Sequence, residues 1–236
     1  MARTLDPVAH AVRRDAFLDA AEALIRAKGY DEMSIQDVLD AVGASRGAFY
    51  HYFDSKDALL QAVVDRMTDT VLAVVAPIAS DADLPAAAKL QALMLTAGAW
   101  KAERSDLLLA FMRSWYSERN DLVRMRAARA AFARLTPLLA GIVRQGRAEG
   151  SFDCTSPDEA ASLLVALFAG SADIMAPLLL DSRDGRTPAV EVERFIAAYE
   201  EAMERILGLS PRSLVLVDRS AMHVWFDHAA PTEERP

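Results

Sequence analysis

Between Asp40 and Asp54 the chain carries Ser45, Arg46, Gly47, Ala48, Tyr50, His51 and Tyr52, a run of hydroxyls, a guanidinium and an imidazole with no carboxylate among them. Groups of this kind hydrogen-bond to phosphates and to base edges. Arg46 can fork onto a guanine or lie flat on a phosphate, whereas Ala48 offers only a methyl contact to thymine. Covalent or metal chemistry is not indicated. There is no Gly-rich phosphate loop, no paired-cysteine zinc pattern, no Gly-x-Ser-x-Gly elbow and no His-Glu-x-x-His, so neither enzymatic activity nor a cofactor or metal is expected. His223, Asp227 and His228 sit in a polar, proline-ended tail without helical period and read as surface groups.

Two short helices must position this run. Ile35, Val38, Leu39 and Val42 fall at i, i+3, i+4 and i+7, one apolar stripe on a helix capped by Ser34. Met33 and Val38 can form a hydrophobic staple, and Gly43 can take the left-handed conformation that ends the helix. After the turn, Phe49, Tyr52 and Phe53 repeat the i, i+3, i+4 spacing. That buries one face of the second helix and leaves Ser45, Arg46, Ala48, Tyr50 and His51 on the others, with Gly47 keeping the helix slim. A preceding helix presents Phe17, Ala20, Ala21, Leu24 and Ile25 on one face. The shape expected is a helix-turn-helix whose second helix fits a major groove.

The string from Gly43 to Lys56, Gly-Ala-Ser-Arg-Gly-Ala-Phe-Tyr-His-Tyr-Phe-Asp-Ser-Lys, closely resembles the DNA-binding signature of the tetracycline-repressor (TetR) family of bacterial transcription regulators. The resemblance covers roughly the first sixty residues, a small-module length, including Lys28-Gly29-Tyr30 at the close of the first long helix. Beyond them only the helical layout matches. The resemblance implies that Ser45, Arg46, Gly47 and Ala48 approach base edges or nearby phosphates, followed by Tyr50, His51 and Tyr52. It places Ser34, at a helix cap, and Lys56, at the start of the next helix, on the phosphate backbone. Helix N-termini favour phosphate on physical grounds as well.

Global charge does not advertise nucleic acid. The chain carries a formal −8 with pI near 5.1, and residues 1–60 hold seven Lys or Arg against ten Asp or Glu. Positive groups are needed only where phosphates lie, so the acids of the first helix are expected to face away, with moderate salt dependence. At 236 residues and 53% hydrophobic content, the chain can hold a small domain and a larger core-bearing one. It reads as all-α, with Ser213 to Val217 the one strand candidate. Cys154 stands alone, which excludes an intrachain disulfide and fits a reducing compartment. No signal peptide is read at the N-terminus. Ala161 to Leu180 is long enough to cross a bilayer, but Asp173 and the acidic flanks favour a buried interface helix, so a cytoplasmic protein with no membrane partner is expected.

Domain boundaries are expected at 1–56 for the helix-turn-helix domain, 57–210 for a helical ligand-binding and dimerisation domain, and 211–236 for an unassigned tail. Helical segments are read at 55–75, 85–102, 106–117 and 122–149, with breaks at Pro77, at 81–85 and at 118–121. Ser156-Pro157-Asp158-Glu159 marks a strong helix start. That helix is followed by a stripe of Val192, Phe195, Ile196, Tyr199, Met203, Ile206 and Leu207. These last two helices are expected to pair with their copies in a homodimer, through Leu163, Leu167, Gly170, Phe195, Tyr199, Met203 and Ile206. Ala166, Ala169, Gly170 and Ala172 would allow close approach. Trp100, Phe111, Trp115, Tyr116, Phe132, Phe168 and Met175, with Met112 and Met125, are candidates to line an apolar cavity for a small molecule. The function implied is a homodimeric repressor released from a pseudo-palindromic double-stranded DNA operator by a small ligand. The alternatives are an activator, or a helical carrier or enzyme whose DNA-binding domain is vestigial.

Overall fold

The computed structural model describes residues 7–116 and 120–226. They form α1 (Pro7–Lys28), α2 (Ile35–Val42), α3 (Arg46–Tyr52), α4 (Lys56–Ser80), α5 (Ala86–Ala102), α6 (Ser105–Trp115), α7 (Asp121–Glu149), α8 (Pro157–Arg183), α9 (Ala189–Leu207) and the short α10 (His223–Phe226). No strand occurs among the described residues, so the all-α reading holds. Two compact units divide the chain, residues 7–70 with 106–129, and 71–105 with 130–226. This partition differs from boundaries drawn at 56 and 210, because α6 and the start of α7 group with the first three helices.

The first unit is built on an aromatic core. Phe17, Leu18, Ala21 and Ile25 of α1 are fully buried against Val38, Phe49, Leu59, Leu60 and Val63, and Leu107 and Phe111 of α6 join the same cluster. Phe17 meets Phe49 and Phe53 edge-on, at ring separations of 5.8 and 6.0 Å, the favoured geometry for aromatic pairs. Ser114 Oγ donates to Asp31 Oδ2 at 2.9 Å, tying α6 to the loop before α2.

The second unit buries Leu90 and Leu93 of α5, Ile142 and Val143 of α7, Leu164 and Val165 of α8, and Met203 and Leu207 of α9. Here α4 continues to Ser80 past Pro77, expected as a break, and α8 likewise carries Pro177 within it and continues to Arg183. In each case the proline and the residue four earlier, Ala73 or Asp173, are exposed, so water can take the carbonyl that the missing N–H leaves unpaired. The cap expected at Ser156 is not made; its side chain bonds nothing in α8, and Pro157 alone marks the start. By length and composition α8 could cross a membrane, yet it packs into the unit through Ala160, Ala161, Leu164, Val165, Ala176 and Leu179.

Residues 213–216 have the alternation of a strand but a different partner. Leu214 and Leu216 are buried and Val215 is exposed. The Leu214 N–H donates to Glu204 Oε1 at 2.9 Å and the Leu216 N–H to Glu200 Oε1 at 3.0 Å, both on α9. Carboxylates one helical turn apart match amides two extended residues apart, so an extended segment lies along a helix without a ladder. Met222, Trp225 and Phe226 then cover Leu179, Val192 and Ile196.

Candidate nucleic-acid interface

Local bonds set both helices of the expected reader. At α2 the Asp37 N–H donates to Ser34 Oγ at 3.1 Å and the Ser34 N–H donates to Asp37 Oδ2 at 2.7 Å, a reciprocal capping box. Gly43 adopts φ 65° and the Ala44 N–H reaches back to the Leu39 carbonyl at 3.0 Å, closing the helix as expected. Ser45 caps α3 by accepting from the Ala48 N–H at 3.2 Å, and Ser55 does the same for Ala58 at 3.0 Å in front of α4. Loss of such a cap costs about 1 kcal/mol.

With Phe49 buried, Ser45, Arg46, Gly47, Tyr50 and His51 are exposed and Ala48 is half-buried. Arg46 lies 6.0 Å from the centre of the Tyr50 ring. A Cβ at Gly47 would meet nothing closer than Ser45 Oγ at 4.0 Å, so the glycine leaves open space rather than relieving a contact within the protein. Tyr52 belongs partly to the core: its ring packs on Phe17 at 5.7 Å and on His10 at 4.6 Å. Lys56 Nζ rests 4.1 Å over the Tyr30 ring and donates to the Asp31 carbonyl at 3.4 Å, which holds the ammonium beside the start of α4. Ser34 is exposed, with its hydroxyl donating to Asp37 Oδ2 at 2.7 Å.

The acidic balance of this region resolves locally. Arg66 of α4 forks between Asp19 and Glu22 of α1 at 2.7 and 2.6 Å, and Lys28 pairs with Asp37 at 2.7 Å. The Lys28 bond, then the Ser34 amide and hydroxyl, hold the Asp37 carboxyl well below the usual carboxylate range. Among the described residues no such partner neutralises the exposed Arg46. Sequence reasoning missed Asp37 as the second half of the capping box, although its spacing three residues after Ser34 was visible. It also missed His10, whose ring lies 5.6 Å from that of His51 and which shares one face of α1 with Arg14 and Phe17.

The other candidate residues scatter. Phe111 and Trp115, stacked at 4.9 Å, pack in the first unit's core, and Tyr116 lies under Arg124 at 5.1 Å in that unit. Met112 and Met125 belong to the same unit. In the second unit Trp100 is buried, Phe168 lies 5.0 Å beneath Lys101 Nζ, and Met175 packs at the end covered by α10. Phe132 borders an open depression of about 530 Å³ together with Asp158, Glu159, Ser162, Leu163 and Ala166. Of the expected dimer residues, Leu163 is 58% exposed and Gly170 is exposed, whereas Tyr199 and Met203 are buried within the subunit's own core. Leu167, Phe195 and Ile206 are half-buried. Asp227 and His228 lie outside the described residues, and among those described no three metal-binding side chains cluster.

The family model for bacterial regulatory proteins, tetR family, matches residues 17–63. Across 64 residues the chain is 39% identical to an HTH-type transcriptional repressor of Mycobacterium tuberculosis, a match covering 27% of this chain and 34% of that one. The chain spans about a quarter to a third of the length of the curated relatives it matches first. Solved structures extend the likeness in fold. A TetR transcription regulator from Haloarcula marismortui aligns with TM-score 0.61 at 21% identity, over 84% of this chain and 97% of that one. SmeT, the repressor of a Stenotrophomonas maltophilia multidrug efflux pump, aligns with TM-score 0.59 at 20% identity, over 86% and 95%. Residues 17–63 thus carry the signature of the tetR family of bacterial regulatory proteins, and over most of its length the chain shares its helical fold with solved TetR regulators.

Proposed function

We propose that the protein is a homodimeric transcriptional repressor that binds a pseudo-palindromic DNA operator through α3 and is released by a small molecule held in the second unit. The observation that carries this reading is the outer face of α3. There Ser45, Arg46, Gly47, Tyr50 and His51 stand exposed and acid-free, on a helix whose opposite side is locked by Phe49. Such a face offers direct base contacts, and the capped starts of α2 and α4 flank it with Ser34 and Lys56 for phosphate. Phosphates that approach Ser34 meet Asp37 already paired with Lys28. The role is regulatory rather than enzymatic, and DNA as the target implies the cytoplasm.

Dimerisation through α8 is supported by its exposed stripe of Leu163, Ala166, Gly170 and Ile174, apolar surface that a second copy would remove from water. Tyr199 and Met203 support that interface from beneath. Release follows from differential binding: a ligand preferred by a conformation with misaligned α3 helices lowers operator affinity by the same factor by which operator lowers its own. The lever is α4, which supplies residues to both units.

Footprinting on DNA flanking the protein's own gene tests this, comparing the unaltered protein with a Tyr50→Ala, Lys56→Ala variant. Expected is a protected pseudo-palindrome that the variant loses while sedimentation still reports a dimer. Protection by both proteins alike, or by neither at low salt, would overturn the reading.

A further inference from the structure

The chain has four histidines, His10, His51, His223 and His228, and the first two lie together in the first unit. The His10 ring of α1 stands edge-on to the His51 ring of α3 at 5.6 Å, and both pack on Tyr52, at 4.6 and 5.1 Å. Tyr52 in turn packs on the fully buried Phe17 at 5.7 Å, so a ring anchored in the core seats both imidazoles. His51 is exposed on the outer face of α3, and His10 is half-buried beside it. Among the described residues neither imidazole makes a hydrogen bond or an ion pair. No carboxylate answers the pair. Asp15 of α1 and Asp54 after α3 are exposed and bond to neither ring. The other charges are cationic or engaged elsewhere. Arg13 is exposed, Arg14 lies 5.6 Å from the Phe53 ring, and Arg46 lies by Tyr50. On α4, Lys56 rests on the Tyr30 ring, Asp57 accepts from the Tyr30 hydroxyl, and Arg66 forks between Asp19 and Glu22.

Two imidazoles side by side gain nothing from each other: protonating both sets like charges close together, and neither ring serves the other as a hydrogen-bond partner. An anion between them reverses the balance, because each protonated ring then donates a charge-assisted hydrogen bond. Resting on the reading that α3 faces DNA, we propose that His10 and His51 clamp one DNA phosphate, which extends the contact surface from α3 onto α1 and makes DNA binding proton-linked. Each N–H···O bond spans about 2.9 Å, so rings at this separation can reach the oxygens of a single phosphate. Histidine changes charge between about pH 5 and pH 8, whereas a phosphodiester stays a monoanion throughout. The phosphate favours the protonated rings, so binding takes up protons, and by linkage protons favour binding. Affinity is therefore highest at the acid end and falls as pH rises through the histidine range. A phosphate carries no base sequence, so the effect belongs to any duplex that the protein binds.

Fluorescence anisotropy of the full-length protein tests the inference with two labelled duplexes of equal length, one from the DNA flanking its own gene and one of unrelated sequence. Both are expected to bind about tenfold or more tightly at about pH 6 than at about pH 8.5. At the lower pH the plot of log affinity against log salt is expected to steepen by about 0.9, the share of one phosphate. His10→Phe keeps a ring on Tyr52 and is expected to lose at least half of the pH dependence on a logarithmic scale. His10→Arg, permanently charged, is expected to bind more tightly than His10→Phe at the higher pH; a ring that only packs would give the reverse order. Affinity independent of pH in the unaltered protein, or a pH dependence undiminished in His10→Phe, overturns the clamp. Footprints run in parallel keep the two readings apart. A protected pseudo-palindrome bound equally at both pH values sinks the clamp alone. Proton-linked binding of both duplexes without a protected sequence supports the clamp and sinks the operator, and binding of neither duplex sinks both.

Discussion

The two units hold their functional side chains by different means. In the first, the residues of the proposed DNA-binding face are fixed by partners close in sequence: Ser34 with Asp37, Ser45 with Ala48, Ser55 with Ala58. In the second, the fixing bonds are long-range. Glu149 caps α5 by accepting from the Ala86 N–H, 63 positions away, Lys89 reaches Gln145, 56 positions on, and the stretch after α9 returns to Glu200 and Glu204. A recognition surface written in local bonds can be read from one string of residues. A surface written in long-range ones exists only once several helices have packed.

The largest effect that sharpens this contrast is expected from Phe49→Ala. Phe49 is fully buried, between Phe17 and Phe53 at ring distances of 5.8 and 5.6 Å, and truncating such a ring costs about 3–5 kcal/mol. Amide exchange of α1–α3 should approach that of an unprotected chain and the DNA footprint should vanish, while α8 and α9 keep their protection. Equal loss of protection in α8 and α9 would show that the units do not differ in the way their bonding suggests.

What the sequence revealed follows the same division. The apolar stripe of α2, the cap at Ser34, the left-handed Gly43 and the exposed face of α3 were all legible because each depends on neighbours within one or two helical turns. So was the helical character of α5, α7, α8 and α9. Apolar aromatics proved ambiguous: Phe111 and Trp115 have the composition of a ligand pocket, yet α6 packs them against the first unit's core. Tyr199 and Met203 lie on a stripe suited to a dimer seam, yet the subunit's own helices cover them. Amphipathic spacing states that a face is buried and not what buries it. The alternation at 213–216 was likewise real, but no local signal names Glu200 and Glu204 as its partners.

Those carboxylates give the next, smaller test. Burial opposes ionisation of Glu204, but the amides of Leu214, Arg212 and Ser213 outweigh it and hold the carboxyl below the usual glutamate range. A carboxyl with a lowered folded-state pKa contributes stability above its unfolded value, and that contribution is lost as pH falls through the folded value. Between neutral pH and pH 3, the protection of the Arg212 and Leu214 amides, relative to their intrinsic exchange, should therefore be lost ahead of protection in α9. At neutral pH, Glu204→Gln should cost about 2 kcal/mol, the scale of a hydrogen bond to a charged acceptor. Unchanged exchange in the variant would mean that Leu214 and Leu216 hold the segment by burial alone.

The smallest expected effect has the opposite sign. The Tyr199 hydroxyl is buried without a hydrogen-bond partner among the described residues, and its burial pushes the phenol above its ordinary range. A buried hydroxyl that bonds to nothing has lost its water without replacement, at a cost of about 1–3 kcal/mol. Tyr199→Phe removes the hydroxyl and keeps the ring, so the variant should be more stable by about 1 kcal/mol, a rise of about 2–4 °C in Tm for a chain of this size. The dimer dissociation constant should not change. A lower Tm together with weaker dimerisation would mean that a second copy supplies the missing acceptor. Tyr199 would then belong to the subunit interface itself, and the long-range bonding that distinguishes the second unit would extend across two chains.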